Sequence, residues 1–384
     1  MNKISLVAGA MLFAAASAGW AQTQGVTDKE VLVGTHLDLS GPIAGWGVPQ
    51  RNGHLMGIED VNAKGGVHGR MLRIIVEDNG YDPKKGMLAT QKLIQQDKVF
   101  ALVGQLGTAL VSAAMPTVLE AGIPHMYPGA PTKLMYEPWH KLKFSLAAPY
   151  DKQIQAGVRY FVGKKKRIAV IYQDDDFGKE IRDASTAQAK QSGMEVTGDA
   201  SYKRGDTVFS SQVARVRQGN PDLIVLGTVP REAAAVMTEA RKVGWNVEFL
   251  APAATCNQQT SDLGKEAAEG AYVVCQYVPL DYENETPVVK AWMDQYQKRF
   301  GIKADVSAAM TWDMQHLIAL ALERAGRDVT VDKFIAGTES IKNWQNIFGS
   351  PPLTFSHDQR VGTTTAVMTQ ITKGKFKRLT GALQ

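Results

Sequence analysis

The run Phe100–Thr132, FALVGQLGTALVSAAMPTVLEAGIPHMYPGAPT, constrains the fold more than any other part of the chain. Its first apolar segment, Phe100–Gly104, has the length of a buried strand and stops at a turn that holds Gly104 and Gly107. Thr108 stands where a helix N-cap belongs, the helix Ala109–Glu120 follows, and Gly122 ends it. Ile123–Tyr127 is a second strand, halted by Pro128-Gly129-Ala130-Pro131. Strand, helix and strand in this order call for a right-handed crossover, which lays two strand ends side by side in a parallel sheet. A helix N-terminus there carries orphan N–H donors and partial positive charge, which suits a carboxylate or phosphate. The same pattern also describes an ordinary β–α turn.

The rhythm repeats on both sides. Val31–Leu37 is a predicted strand, Asp38–Val48 a Gly-rich loop, Pro49–Asn62 a helix and Met71–Asp78 a strand. Asp82 caps a helix to Gln96 that turns Met87, Leu88, Leu93 and Ile94 toward the core. Near Phe144–Asp151 the pattern restarts. Helices are predicted at Gln153–Val162, Lys179–Ser192, Ser210–Gln218 and Glu232–Val243. The strands between them are Arg167–Tyr172, Glu195–Tyr202, Leu223–Gly227, Glu248–Ala251 and Ala271–Tyr277. A third region holds the helices Pro287–Phe300 and Ser307–Arg324, whose aromatic and Met stripes suit a core, then short strands at Leu353–Phe355 and Thr363–Ile371. At 384 residues the chain is too long for one typical core, and two doubly wound α/β units are expected.

Residues 1–21 have the marks of an export leader: Lys3, the apolar Ile4–Ala18, and Gly19-Trp20-Ala21 as a cleavage site before Gln22. The apolar run is short for a membrane span. Export permits a disulfide between the two cysteines, Cys256 and Cys275, and two free thiols are the alternative. The net charge of +5 is spread over the chain and gives little ground for a nucleic-acid partner. No Walker A, GxGxxG, GxSxG or HExxH pattern occurs, and the seven His residues are dispersed, which argues against an enzyme and against a cofactor or metal. Asp174-Asp175-Asp176 fits a solvated β–α loop better than a cation site.

Several motifs taken together resemble one family. They are Ser40-Gly41-Pro42-Ile43-Ala44 with Gly47, the run Asn62 to Gly69, Asp78 with Asp82-Pro83, and Val103-Gly104 before Thr108. Tyr127-Pro128-Gly129-Ala130, Asp176-Phe177-Gly178, Gly264 and Glu269-Gly270 complete the set. The chain resembles the type I periplasmic solute-binding proteins of the leucine/isoleucine/valine-binding family, the receptors of ABC importers. The resemblance implies an α/β fold of two doubly wound parallel-sheet lobes joined by a three-strand hinge. Lobe 1 would hold residues 24–147 and 276–360, and lobe 2 residues 148–275 and 361–384. It also implies a monomer that closes over a small ligand and is read by a membrane permease.

The resemblance further implies the site residues. The ligand carboxylate would meet the turn Gln105-Leu106-Gly107-Thr108, through the Thr108 hydroxyl, and the backbone N–H groups of Gly129 and Ala130. A hydroxyl usual in the family is Pro131 here, with Thr132 a substitute. Trp46 would pack on the ligand, and Phe177 would close from lobe 2. The family's acid for a ligand ammonium is replaced by Ala253-Ala254, and an aromatic hydroxyl is lost near Thr228-Val229-Pro230. Glu232 and Asp262 are the nearby acids that would compensate. A desolvated ammonium without a partner is expensive. The expected ligand is therefore a carboxylate without an α-amino group and with an aromatic or apolar body lying on Trp46, Phe177, Val229 and Ala253. Tyr127 or Gln105 would bond a ring substituent. The alternatives are a branched-chain or other apolar amino acid or amide, a sensory role, and an exported enzyme on the same scaffold.

Overall fold

A computed structural model describes residues 23–383, so the expected leader lies outside the described residues. The first sheet is wholly parallel, with β1 (Glu30–Leu37), β2 (Met71–Asp78), β3 (Ala101–Val103), β4 (His125–Met126) and β5 (Lys143–Phe144) in the order β2-β1-β3-β4-β5. Between them run α1 (Ala44–Ala63), α2 (Pro83–Gln95) and α3 (Thr108–Glu120). The caps of α2 follow the sequence: Asp82 accepts from the N–H groups of Lys84 and Lys85, and Pro83 occupies the first turn. Leu93 and Ile94 are buried, whereas Leu88 is 65% exposed and does not join the core.

α1 begins earlier than the Pro49 start expected. The Asp38 carboxylate accepts from the N–H groups of Gly41 and Ile43, at 2.5 and 2.8 Å, and folds the Gly-rich loop into a turn that launches the helix at Ala44. Pro49 is thus inside α1.

The second unit comprises α4 (Tyr150–Tyr160), β6 (Arg167–Gln173), α5 (Asp176–Gln191), β7 (Glu195–Tyr202), α6 (Ser210–Arg217), β8 (Leu223–Gly227), α7 (Pro230–Lys242), β9 (Glu248–Ala251), α8 (Gln258–Gly264) and β10 (Tyr272–Cys275). The chain then forms α9 (Pro287–Phe300), α10 (Val306–Ala325) and α11 (Val331–Glu339), and ends with β11 (Ala366–Thr372) and β12 (Lys375–Leu383). The second sheet has the order β12-β11-β10-β9-β8-β6-β7. Its parallel part, β7-β6-β8-β9-β10, repeats the winding of the first sheet. β11 and β12 add an antiparallel hairpin at the edge, of which β12 was not apparent in the sequence. Leu353–Phe355 forms no strand; Leu353 makes one isolated bridge to Trp344.

α10 lies against α1, so the third region packs onto the first unit. Their approach needs Gly53, where a Cβ would stand 2.2 Å from the Ala308 carbonyl oxygen. The chain passes between the two units after β5, after β10 and before β11. The first and third passages pair: Ser145 N–H donates to Arg360 O at 2.8 Å and Gly362 N–H to Ser145 O at 3.0 Å.

Candidate functional site

In doubly wound sheets, ligands bind beyond the carboxyl ends of strands, where the winding reverses. Both sheets turn that end toward one shared cavity. Its free space is about 390 Å3, the mouth included. Every lining residue follows a strand: Ile43 and Trp46 after β1, Tyr81 after β2, Leu106, Gly107 and Thr108 after β3, Gly129 and Ala130 after β4, and Tyr150 after β5. From the second unit come Phe177 after β6, Val229 after β8, Ala253 and Ala254 after β9, and Gln276 after β10.

The first lip is the start of α3. Gly107, not Thr108, is its N-cap, with φ of 107° that disfavours a side chain. Thr108 is therefore the first helical residue. Its Oγ1 is buried and has no hydrogen-bond partner. The expected donors at the second turn divide. Gly129 N–H is taken by Gln105 O at 2.8 Å, so it is not available to a ligand. Ala130 N–H has no partner among the hydrogen bonds of the described residues. Thr132 is no substitute hydroxyl, because its Oγ1 donates to Glu180 Oε2 at 2.7 Å.

Gln105 and Tyr127 are fully buried but do not line the cavity. Tyr127 points into lobe 1, where its ring lies 5.5 Å from that of Phe355. A side chain next to a lip need not face it. The backbone left these two behind the lip instead.

The opposing lip is apolar. Phe177, near the start of α5, packs edge-on against Tyr150 with ring centroids 5.1 Å apart. Val229 is the N-cap of α7. Among the described residues no acidic side chain lines the cavity. Glu232 is buried beside it in the chain and pairs with Arg231 at 2.8 Å; burial pushes its carboxyl up, and its Oε2 has no partner. Asp262 takes a bond from Gln258 at 2.9 Å on the surface. Neither compensating acid reaches the lining. The Asp174–Asp176 run does not converge: Asp174 pairs with Lys179 at 2.9 Å, and Asp175 caps α5.

The lips are closed on each other. Trp46 Nε1 donates to Ala254 O at 3.0 Å. Pro49 has no N–H for the carbonyl one turn before it, and that carbonyl, Gly45 O, accepts from Asn257 Nδ2 across the cleft at 3.2 Å. Arg204 donates to Tyr81 O and to Asp175, both at 2.6 Å, with its guanidinium 4.3 Å from the Tyr81 ring centroid. Gln173 Nε2 donates to Tyr81 Oη at 3.1 Å. Burial first, then Asp175, holds Tyr81 as the phenol. Glu180 accepts from Thr132 and from Lys133 N–H, and burial raises its carboxyl to about 7. Cys256 and Cys275 form a disulfide, which ties the Ala253–Thr255 turn to the end of β10.

Ile43, Tyr81, Tyr150, Ala254 and Gln276 line the cavity unforeseen. All follow strand ends, a signal legible in the sequence for Tyr81, in the turn Asn79-Gly80-Tyr81-Asp82.

A sequence profile of the family described as periplasmic binding protein matches residues 30–375. The chain belongs to the periplasmic binding proteins. The family expected from the motifs is the one found. The Leu/Ile/Val-binding protein of Citrobacter freundii is 26% identical over 286 residues, covering 74% of this chain and 76% of its own. An amino acid binding protein of Pseudomonas aeruginosa is 26% identical over 252 residues, 65% of this chain and 67% of its own. Among solved structures, the fatty acid ABC transporter substrate-binding protein from Thermomonospora curvata superposes with a TM-score of 0.84 at 25% identity, covering 94% of each chain. The named relatives are binding proteins. Two of them are named for amino acids and one for fatty acids, and none for an aromatic carboxylate.

Proposed function

We propose that this periplasmic binding protein is the exported receptor of an ABC importer, working as a monomer. Its ligand is a small apolar carboxylate, held between the lips as the lobes close about residues 145, 276 and 361. The observation that carries this is that Thr108 Oγ1 at the start of α3 and Ala130 N–H in the turn after β4 both lack partners and both belong to residues of a largely apolar lining. A carboxylate takes two such donors at a helix N-terminus, and its body covers Trp46, Leu106, Phe177 and Val229.

Branched-chain α-amino acids come first within this class, on the names of the relatives. An acid without an amine is the second reading, favoured by the lack of an acid on the lining and by the fatty-acid relative. Thermal unfolding of the dialysed mature protein separates them. A ligand at 100 times its Kd adds about 2.7 kcal/mol. Stabilisation by leucine, isoleucine or valine supports the first, and by 4-methylpentanoate, octanoate or benzoate alone the second. No shift with any of them overturns the carboxylate assignment.

A further inference from the structure

Gln276 is the first residue past β10, on the second passage between the lobes. It is 5% exposed and lines the cavity. Its Nε2 donates to the Met310 thioether at 3.1 Å. A thioether accepts and has no hydrogen to give, so this contact fixes the orientation of the amide. The NH2 faces α10 and the oxygen faces away from it. Among the described residues Oε1 has no hydrogen-bond partner. The backbone on both sides is pinned: Cys275 by its disulfide, and Tyr277 by a 3.0 Å bond from its hydroxyl to Asp313 on α10. The amide is thus a rigidly placed acceptor on the cavity wall.

The other polar groups of the lining are differently engaged. Thr108 and Ala130 present donors, Trp46 Nε1 is committed to Ala254, and Tyr81 Oη already accepts from Gln173. We propose that Gln276 is the specificity residue that reads a hydrogen-bond donor on the ligand, selecting apolar carboxylates that carry a hydroxyl or amino substituent over the unsubstituted acid. This rests on the carboxylate reading above. An amide oxygen is uncharged, so it accepts from a hydroxyl and an ammonium alike, whereas an acid would single out the ammonium.

The test is calorimetric titration of wild type, Gln276→Met and Gln276→Glu, each first checked for native thermal unfolding. The probes are 4-methylpentanoate, 2-hydroxy-4-methylpentanoate and leucine, with benzoate and 4-hydroxybenzoate. Wild type should prefer a donor-bearing member of at least one set by about tenfold, the scale of one hydrogen bond. Gln276→Met should bring that ratio close to one while still binding the unsubstituted acid. Gln276→Glu should tilt the first set toward leucine. A ratio that survives in Gln276→Met overturns the role of Gln276 and leaves the carboxylate reading standing. Failure of every probe to bind wild type overturns both.

Discussion

At the scale of single residues, the cavity places two partnerless hydroxyls in contrast. Both are buried in the closed structure, but Thr108 lines the ligand space and Tyr127 lies behind the lip. Thr108→Ala should weaken a carboxylate ligand by about 1.5–3 kcal/mol, the worth of a hydrogen bond to a charged group, and Thr108→Ser should recover most of it. Tyr127→Phe should leave affinity unchanged, since it only removes a buried hydroxyl without a partner. Equal losses in Thr108→Ala and Tyr127→Phe titrations would reverse this assignment. Leu106, Thr108, Phe177 and Val229 were placed through the family motifs, and in the structure all four lie just past strand ends. Gly129 was half legible: its place follows from the turn, but the capture of its N–H by Gln105 O is a matter of backbone path. Gln276 enters the lining only when the two units meet, which no local pattern records.

Among elements, β7, β8, β9 and α9 have the bounds that the sequence predicts, because turn or capping residues stand close to both ends of each. α1 departs because a side chain, the Asp38 carboxylate, starts it ahead of its Pro. β12 was obscure because Lys375, Lys377 and Arg378 interrupt its apolar pattern. α5 carries the clearest consequence for closure. Its Glu180 reaches Thr132 and Lys133 of the other lobe, with Asp151 nearby raising its carboxyl further. An open cleft returns Glu180 to water and to its ordinary value near 4.5, against about 7 when closed. Closing then binds a proton. This contribution favours closure below the open-state value and is lost as pH rises through the closed one. Glu180→Gln keeps an oxygen for Lys133 N–H and an NH2 for Thr132, without the charge. Its ligand affinity should therefore vary less between pH 5 and pH 7.5 than that of wild type, where affinity should fall as pH rises. Parallel profiles of the two proteins would remove Glu180 from the closure equilibrium.

For the whole molecule, the disulfide joins stability to the site. It closes a loop of 19 residues between the apolar lip at Ala253-Ala254 and the passage that carries Gln276. Closing a loop of this size limits the unfolded chain by about 3 kcal/mol on the chain-entropy account. Both cysteines are buried, so alanine is the apt replacement. The double variant Cys256→Ala/Cys275→Ala should lose roughly that amount in urea unfolding. It should also release ligand faster, because Ala254 O holds Trp46 across the cleft and its turn would no longer be tied to the hinge. The two effects separate the roles of the bond. Lost stability with an unchanged dissociation rate would make it a staple of lobe 2 alone. A faster release at unchanged stability would place its whole effect in the lip. Neither change would mean that the strands on either side hold lip and hinge together without it.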